Sequence, residues 1–196
     1  MYLEHSLKKY IGALASEKPV PGGGGTSALV AALGIALALM VARISLKRFG
    51  GLRPKSLNGT IAWLERLRRN AEQVIDLDPK VYREVIASSR RFRKEGKSKK
   101  NLNDLETSLA NSCRLQADLA LLILMAKQML NTVGHFATGS IRNDLLVSGA
   151  LLDGAFRGSS ATARMNVVSI KEGKTRRHFE QALRKLELRY GKIKLS

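Results

Sequence analysis

The stretch Lys18-Pro19-Val20-Pro21-Gly22-Gly23-Gly24-Gly25-Thr26-Ser27-Ala28 decides the fold, because it separates a short amphipathic segment from a long uncharged one. Its prolines keep the approach extended, and its four glycines leave the backbone free of side chains. Thr26 and Ser27 are residue types that cap helices. The pattern predicts a turn whose free N–H groups, at the start of a helix, favour an anion or a polar ligand. A flexible loop before a buried helix is an equally good interpretation.

The composition indicates one helical domain. With 196 residues, the chain is long enough for a single domain with a substantial core. Hydrophobic residues make up 44% of it but aromatic residues only 5%, which suits closely packed helices better than a sheet. Cys113 is the only cysteine and the three histidines are widely separated, so we expect neither a disulfide nor a metal site.

The net charge of +18 points to an acidic partner, either nucleic acid or a small polyanion. The densest basic run extends from Arg83 to Lys100 and holds eight Lys or Arg residues against Glu84 and Glu95. Such a run is usually a solvated face, but it is the best local candidate for contact with nucleic acid. Phe92 is its only aromatic residue after Arg83, so stacking on single strands is not indicated.

The uncharged segment from Pro19 to Ala42 is long enough to span a bilayer. However, its Gly and Ala residues give weak transfer energy and no aromatic belt flanks it, so we expect a buried central helix and no membrane. The first residues carry Glu4, Lys8 and Lys9 in an amphipathic pattern, unlike a signal peptide, and a cytoplasmic location is expected.

Apolar periodicity predicts seven helices and no strand, arranged as one bundle around the Ala/Gly-rich second helix. Asp78 is predicted to cap the fourth helix, with Pro79 at its first position. One domain is expected over residues 1–196. The predicted helices cover residues 2–15, 26–48, 55–77, 79–94, 102–133, 143–169 and 172–190.

Asp144 is the second notable feature, because it stands near the start of a helix after an irregular segment. A face of small and polar residues follows it at steps of three or four, and this face ends with Thr162 and Asn166. Asp144 either complements the helix dipole or belongs to a site.

Four segments together resemble the formiminotetrahydrofolate cyclodeaminase / methenyltetrahydrofolate cyclohydrolase family over nearly the whole chain. The matching segments are Pro19-Val20-Pro21-Gly22-Gly23-Gly24 with Ser27-Ala28-Leu29 and Met40-Val41-Ala42-Arg43; Asp78 with Tyr82; Asp144; and Arg164-Met165-Asn166-Val167-Val168-Ser169-Ile170.

The resemblance implies an elongated, all-helical bundle that pairs into a homodimer, with a folate cleft near the glycines and chemistry on the one-carbon unit at N5 and N10 of tetrahydrofolate. It implies that Asp144 transfers the proton, that Asp78 orients the pterin or a water, and that no cofactor is tightly bound. Arg43, Lys47 or Arg164 would meet the glutamate tail, which is a polyglutamate in some folates. The other implied substrate-binding residues are Pro21, Gly22, Gly23, Gly24, Gly25, Thr26, Ser27, Tyr82 and Asn166.

The chain departs from the family pattern at Asn143, where a serine is usual, and at Thr162, where an asparagine is usual. Two alternatives therefore stay open beside the enzyme. One is a family member that binds folate without turnover, and the other is a basic helical protein that binds nucleic acid.

Overall fold

The computed structural model describes residues 1–49, 54–96, 98–171 and 173–194. Over these ranges the protein is all-helical, as the sequence predicts, with six α-helices rather than the expected seven. A short 3₁₀ helix, Tyr2–Glu4, precedes them. The helices are α1 (Leu7–Leu14), α2 (Gly23–Lys47), α3 (Lys55–Lys94), α4 (Lys99–Phe136), α5 (Ile141–Ser169) and α6 (Gly173–Gly191).

Helices α2 to α5 form an antiparallel four-helix bundle in which each helix packs along two neighbours. Contacts between α2 and α3 show the direction of the chains: Arg43 pairs with Glu65 at one end, and Gly25 binds Asp78 at the other. Helix α6 packs against α4 and α5. The glycine-rich start of α2 therefore lies beside the middle of α3.

Small residues let α2 sit closely against α5, which explains its Ala- and Gly-rich sequence. A Cβ at Gly34 would lie 3.2 Å from the side chains of Leu151 and Leu152. One turn away, the buried Ser148 hydroxyl donates a hydrogen bond of 2.7 Å to the Gly34 carbonyl. These contacts place the middle of α2 in the core, as expected for a helix that is apolar on all sides.

Helix α3 runs unbroken from Lys55 to Lys94, so the prediction of two helices that meet at Asp78 is wrong. Pro79 lies buried inside the helix, and its missing N–H leaves only the Ile75 carbonyl without its usual partner. That carbonyl faces α2, 3.5 Å from where a Cβ of Gly25 would stand. Packing against the bundle therefore outweighs the local cost of one proline, and Asp78 is not a cap.

The start of α2 also differs from the prediction. The helix begins at Gly23 with Gly22 as its N-cap, so three glycines form its first turn and Thr26 and Ser27 do not cap it. Their hydroxyls instead donate back to the carbonyls of Gly22 and Gly23, at 2.8 Å each. Pro21 is buried just before the cap and follows a cis peptide bond.

The other helix bounds lie close to the predictions. The predicted helix 2–15 consists of the 3₁₀ turn and the shorter α1, because the Ser6 side chain caps a new start by accepting from Lys9 N. Helix α4 extends the predicted 102–133 at both ends, and α5 begins two residues before the predicted 143. Residue 172, the predicted start of the last helix, lies outside the described residues.

Helices α2 and α4 are each long and apolar enough to cross a membrane by length and composition. Half of the most apolar window of each is buried inside the bundle. The core helices of soluble proteins pass the same test, so it is weak evidence for a membrane span.

A charged cluster holds the end of α6 against the bundle. Lys127 on α4 is buried and pairs with Asp153 on α5, which also accepts a hydrogen bond of 2.7 Å from the Tyr190 hydroxyl. The Tyr190 ring stacks on Phe156 with a centroid distance of 3.7 Å. This cluster gives the last turn of α6 a fixed position.

Candidate functional site

Helix α2 begins inside the bundle, whereas the helices that pack around it continue past the level of its first turn. From the level of Gly25, α3 extends a further sixteen residues beyond Asp78, about 24 Å of helix axis. Helix α2 otherwise lies between α3 and α5, so residues of α3, α4 and α5 surround its first turn. We name the region around this turn the glycine cleft, after the cleft that the family resemblance implies; its residues are Gly23, Gly24, Asp78, Tyr82, Ser112, Gln116, Thr162 and Asn166.

Asp78 is the centre of the glycine cleft. Its Oδ2 accepts a hydrogen bond of 2.9 Å from the Gly25 amide, and its Oδ1 accepts one of 2.7 Å from Nε2 of Gln116 on α4. Both donors favour the ionised carboxylate. The carboxylate also lies at the N-terminus of α2, where the helix dipole favours a negative charge. Three helices thus converge on one carboxyl group.

Gly24 allows this approach because it has no side chain. A Cβ at this position would overlap Asp78 Oδ1 and Gln116 Nε2, and it would lie 2.8 Å from Asp78 Cγ. The neighbouring amides of Gly23 and Gly24 occupy the first helical positions, so no carbonyl of α2 can accept from them. Because the glycines have no side chains, the backbone of the first turn of α2 and its N–H groups can lie against the Asp78 carboxylate.

Burial raises the pKa of Asp78 above its ordinary value, although its hydrogen bonds with the Gly25 amide and Gln116 lower it in part. Tyr10 on α1 lies beside the same turn: its hydroxyl is 3.4 Å from the Thr26 hydroxyl, and burial raises the pKa of this phenol. Asp78 thus combines a raised proton affinity with donors that still hold its ionised form, an arrangement suited to taking and releasing a proton.

The walls of the glycine cleft add neutral polar groups. Asn166 on α5 donates from Nδ2 to the Ser112 hydroxyl on α4, at 2.9 Å. The Thr162 hydroxyl lies 3.7 Å from where a Cβ of Gly23 would stand. Tyr82 follows Asp78 by one helical turn and is exposed. Of the residues predicted from the sequence, the glycines, Asp78, Tyr82 and Asn166 are therefore brought to one place.

Asp144 is not brought to this place within one chain. Gly158 on α5 contacts Ser27 at the start of α2, and Asp144 precedes Gly158 by about four helical turns, roughly 20 Å. It lies half-buried in the first turn of α5, near the end of the bundle where α2 also ends. The two carboxylates expected to share a substrate thus lie about 20 Å apart along the bundle.

The three predicted tail-binding cations are also dispersed. Arg43 lies twenty residues along α2 from Gly23, about 30 Å, and pairs with Glu65; Lys47 lies one turn farther. Arg164 is close in sequence to Thr162, but its guanidinium makes a two-pronged contact with Glu187 on α6. Only Arg164 is therefore close along its helix to the glycine cleft, and its guanidinium is directed at α6.

The sequence interpretation missed Gln116 and Ser112, because it treated α4 as an ordinary apolar helix. Gln116 is fully buried, and its Oε1 has no hydrogen-bond partner among the described residues. An uncharged amide four residues after a serine, within a run of leucines and alanines, is a weak local signal. Its meaning depends on its pairing with Asp78, which is 38 positions away.

Grooves lie elsewhere on the bundle. A groove of about 590 Å³ runs between α4 and the start of α6, near Thr107 and Lys171, and a groove of about 470 Å³ runs between α3 and α4 near Trp63. Neither contains a residue of the predicted site. The described residues also hold no cluster of three or more His, Cys, Asp or Glu residues arranged for a metal ion. We therefore base the functional argument on Asp78 and the glycines.

Residues 6–185 match the profile of a family described as formiminotransferase-cyclodeaminase. The chain belongs to this family. Its fold is similar to the crystal structure of formiminotetrahydrofolate cyclodeaminase from Thermotoga maritima, with a TM-score of 0.83 and 20% identity, over 97% of this chain and 92% of that one. At this identity the likeness shows the fold alone. No curated protein matches the sequence.

Proposed function

We propose that the protein acts on the one-carbon unit at N5 and N10 of a tetrahydrofolate derivative and that the glycine cleft is its substrate site. The observation that carries the proposal is the Asp78 carboxylate, held between a helix N-terminus and a buried amide. Membership of the formiminotransferase-cyclodeaminase family supports a cyclodeaminase-type function, and the helical fold of the Thermotoga maritima cyclodeaminase is consistent with it.

Both candidate reactions need a group that moves a proton at a tetrahedral carbon. In a cyclodeaminase, N10 attacks the formimino carbon, and protonation of the former imine nitrogen lets it leave as ammonia. In a cyclohydrolase, water adds to the methenyl carbon, a carbon–nitrogen bond breaks, and the released nitrogen takes a proton. Asp78 accepts the proton from N10 or from water and returns it to the departing nitrogen.

The position of Asp78 makes it the better candidate for this role than Asp144. Asp78 accepts a hydrogen bond from the Gly25 amide. Asp144, by contrast, lies about 20 Å along α5 from Gly158, the residue that contacts Ser27 at the start of α2. The amides of Gly23 and Gly24, with Ser112, Thr162 and Asn166, supply donors and acceptors for the polar edge of a pterin. No tightly bound cofactor is needed for either reaction.

The substrate tail and the assembly belong to the same proposal. Arg164 is the predicted cation nearest to the glycine cleft, so it would meet the glutamate tail of the folate after exchanging Glu187 for the ligand carboxylate. A homodimer would cover the exposed apolar side chains Leu33 and Met40 in the middle of α2.

Turnover assays test the proposal. Spectrophotometry with formiminotetrahydrofolate and with methenyltetrahydrofolate should show turnover of one of them by the wild type. Asp78→Asn should lower the rate by about 100-fold or more. Asp104→Asn, which changes an exposed aspartate on α4, is the matched control and should keep the rate. Folate binding without turnover would identify a non-catalytic family member, and neither binding nor turnover would refute the proposal.

Contact with nucleic acid is a second candidate function, supported by one surface. The end of α3 and the start of α4 carry exposed basic side chains, among them Arg83, Arg93 and Lys99, as part of the net charge of +18. Phosphate contacts of this kind release counterions. Fluorescence anisotropy with a labelled duplex should then show binding that weakens steeply between low and moderate salt, and a flat response would exclude this candidate.

A further inference from the structure

The buried amide of Gln116 has a feature that ordinary packing does not explain. Its Nε2 donates to Asp78 Oδ1 at 2.7 Å, whereas its Oε1 has no partner among the described residues and no exposed surface. Burying a carbonyl without a partner costs stability, so a glutamine that served only the fold would be expected to satisfy both ends of its amide. The one bond that Gln116 makes is directed at the carboxylate of the proposed site.

The geometry points to Gln116 as the positioning residue that keeps Asp78 ionised and turned toward the first turn of α2. This inference rests on the proposed role of Asp78 in proton transfer. A carboxylate accepts strongly from both donors that face it, Gln116 Nε2 and the Gly25 amide, whereas protonation of Asp78 would turn one of its oxygens into a hydroxyl and weaken one of these bonds. Gly24 completes the arrangement, because a Cβ there would overlap both Asp78 and Gln116.

Few other groups can act on the charge of Asp78. Among the described residues, Tyr10 on α1 is the titratable group whose charge would couple to it, and Tyr82 follows it on α3. Helix α2 presents the Gly25 amide, α4 presents Gln116, and α5 presents the uncharged Thr162 and Asn166. Burial raises the pKa of Asp78 and the Gln116 bond opposes that rise, so removing the amide should raise the pKa further.

The experiment measures the pKa of Asp78 directly by nuclear magnetic resonance. The full chain is labelled with ¹³C at the carboxyl carbons of its six aspartates, and Asp78→Asn assigns the signal of Asp78. Gln116→Met keeps the side-chain length and removes the donor. Because a hydrogen bond to a charged group is lost, we expect the pKa of Asp78 to rise by about one to two units. The acidic limb of the pH–rate profile should move by the same amount.

Two further variants complete the test. Gln116→Glu is isosteric and is used if the methionine variant does not fold. Its carboxyl would share a proton with Asp78 and should also raise the apparent pKa of Asp78. Ser45→Ala removes another buried polar atom without a partner, at the far end of α2, and should leave the pKa of Asp78 unchanged.

An unchanged pKa of Asp78 in a folded Gln116 variant would overturn the inference, whatever the rate of turnover. A wild type that turns over neither folate would instead refute the proposed function, while the titration could still be measured. A raised pKa in the Gln116 variants, with none in Ser45→Ala, would support the positioning role.

Discussion

Replacing Gly24 by alanine should destabilise the protein, although alanine is normally the better helix former. The added Cβ would lie 2.8 Å from Asp78 Cγ and overlap Asp78 Oδ1 and Gln116 Nε2. Asp78 would have to withdraw and break one of its two hydrogen bonds, each worth about 1.5–3 kcal/mol for a charged group. Residual overpacking adds about 1–3 kcal/mol, and helix propensity returns at most about 1 kcal/mol. We therefore expect a net loss of about 3 kcal/mol.

Urea and thermal unfolding, followed by circular dichroism, measure this loss. For a chain of this length a loss of about 3 kcal/mol corresponds to a decrease in Tm of about 6–12 °C. Gly154→Ala is the matched control: Gly154 also lies in a helix, but a Cβ there would meet nothing within 4 Å. The control should gain up to about 1 kcal/mol. A Gly24→Ala protein that is as stable as Gly154→Ala would refute the close approach of α2 to Asp78.

Two further predictions concern the same carboxyl and the end of α6. Because burial raises the pKa of Asp78, the folded state binds its proton more tightly than the unfolded chain does; relative to Asp78→Asn, the wild type should lose stability as the pH rises from about 4 through the raised pKa. Urea titrations of both proteins across this window test the sign. A wild type that gains stability relative to Asp78→Asn as the pH rises would contradict it. Tyr190→Phe should cost about 1 kcal/mol in urea unfolding, because it removes the hydrogen bond to Asp153 but keeps the stack on Phe156. An equal loss in Leu188→Ala, an exposed position on the same helix, would show that the hydrogen bond is not responsible.

Local sequence patterns predict the helices well but predict their junctions less well. The apolar periodicity of α4, α5 and α6 and the small residues of α2 identify these helices, because each pattern reflects burial along one element. The break predicted at Asp78 failed because Pro79 removes a single hydrogen bond, whereas α3 gains contacts with α2 and α4 along its length. The cap predicted at Thr26 failed because three glycines already form the first turn of α2.

The candidate site was predicted in part. The glycines and Asp78 were identified because each belongs to a recognisable segment, and the structure joins them through Gly25 N and Asp78 Oδ2. The pairing of Asp144 with the glycines depended on the register of α5 against α2, which no local pattern encodes. Gln116 was missed for the same reason, since its role follows from the position of α4 across the bundle.

The most direct test compares Asp78→Asn with Asp144→Asn in turnover of formiminotetrahydrofolate and methenyltetrahydrofolate. If the glycine cleft is the site of proton transfer, the wild type turns over one substrate, Asp78→Asn loses about 100-fold or more in kcat, and Asp144→Asn stays close to the wild type. A wild-type rate in Asp78→Asn, together with a large loss in Asp144→Asn, would place the chemistry near the start of α5 and contradict the account.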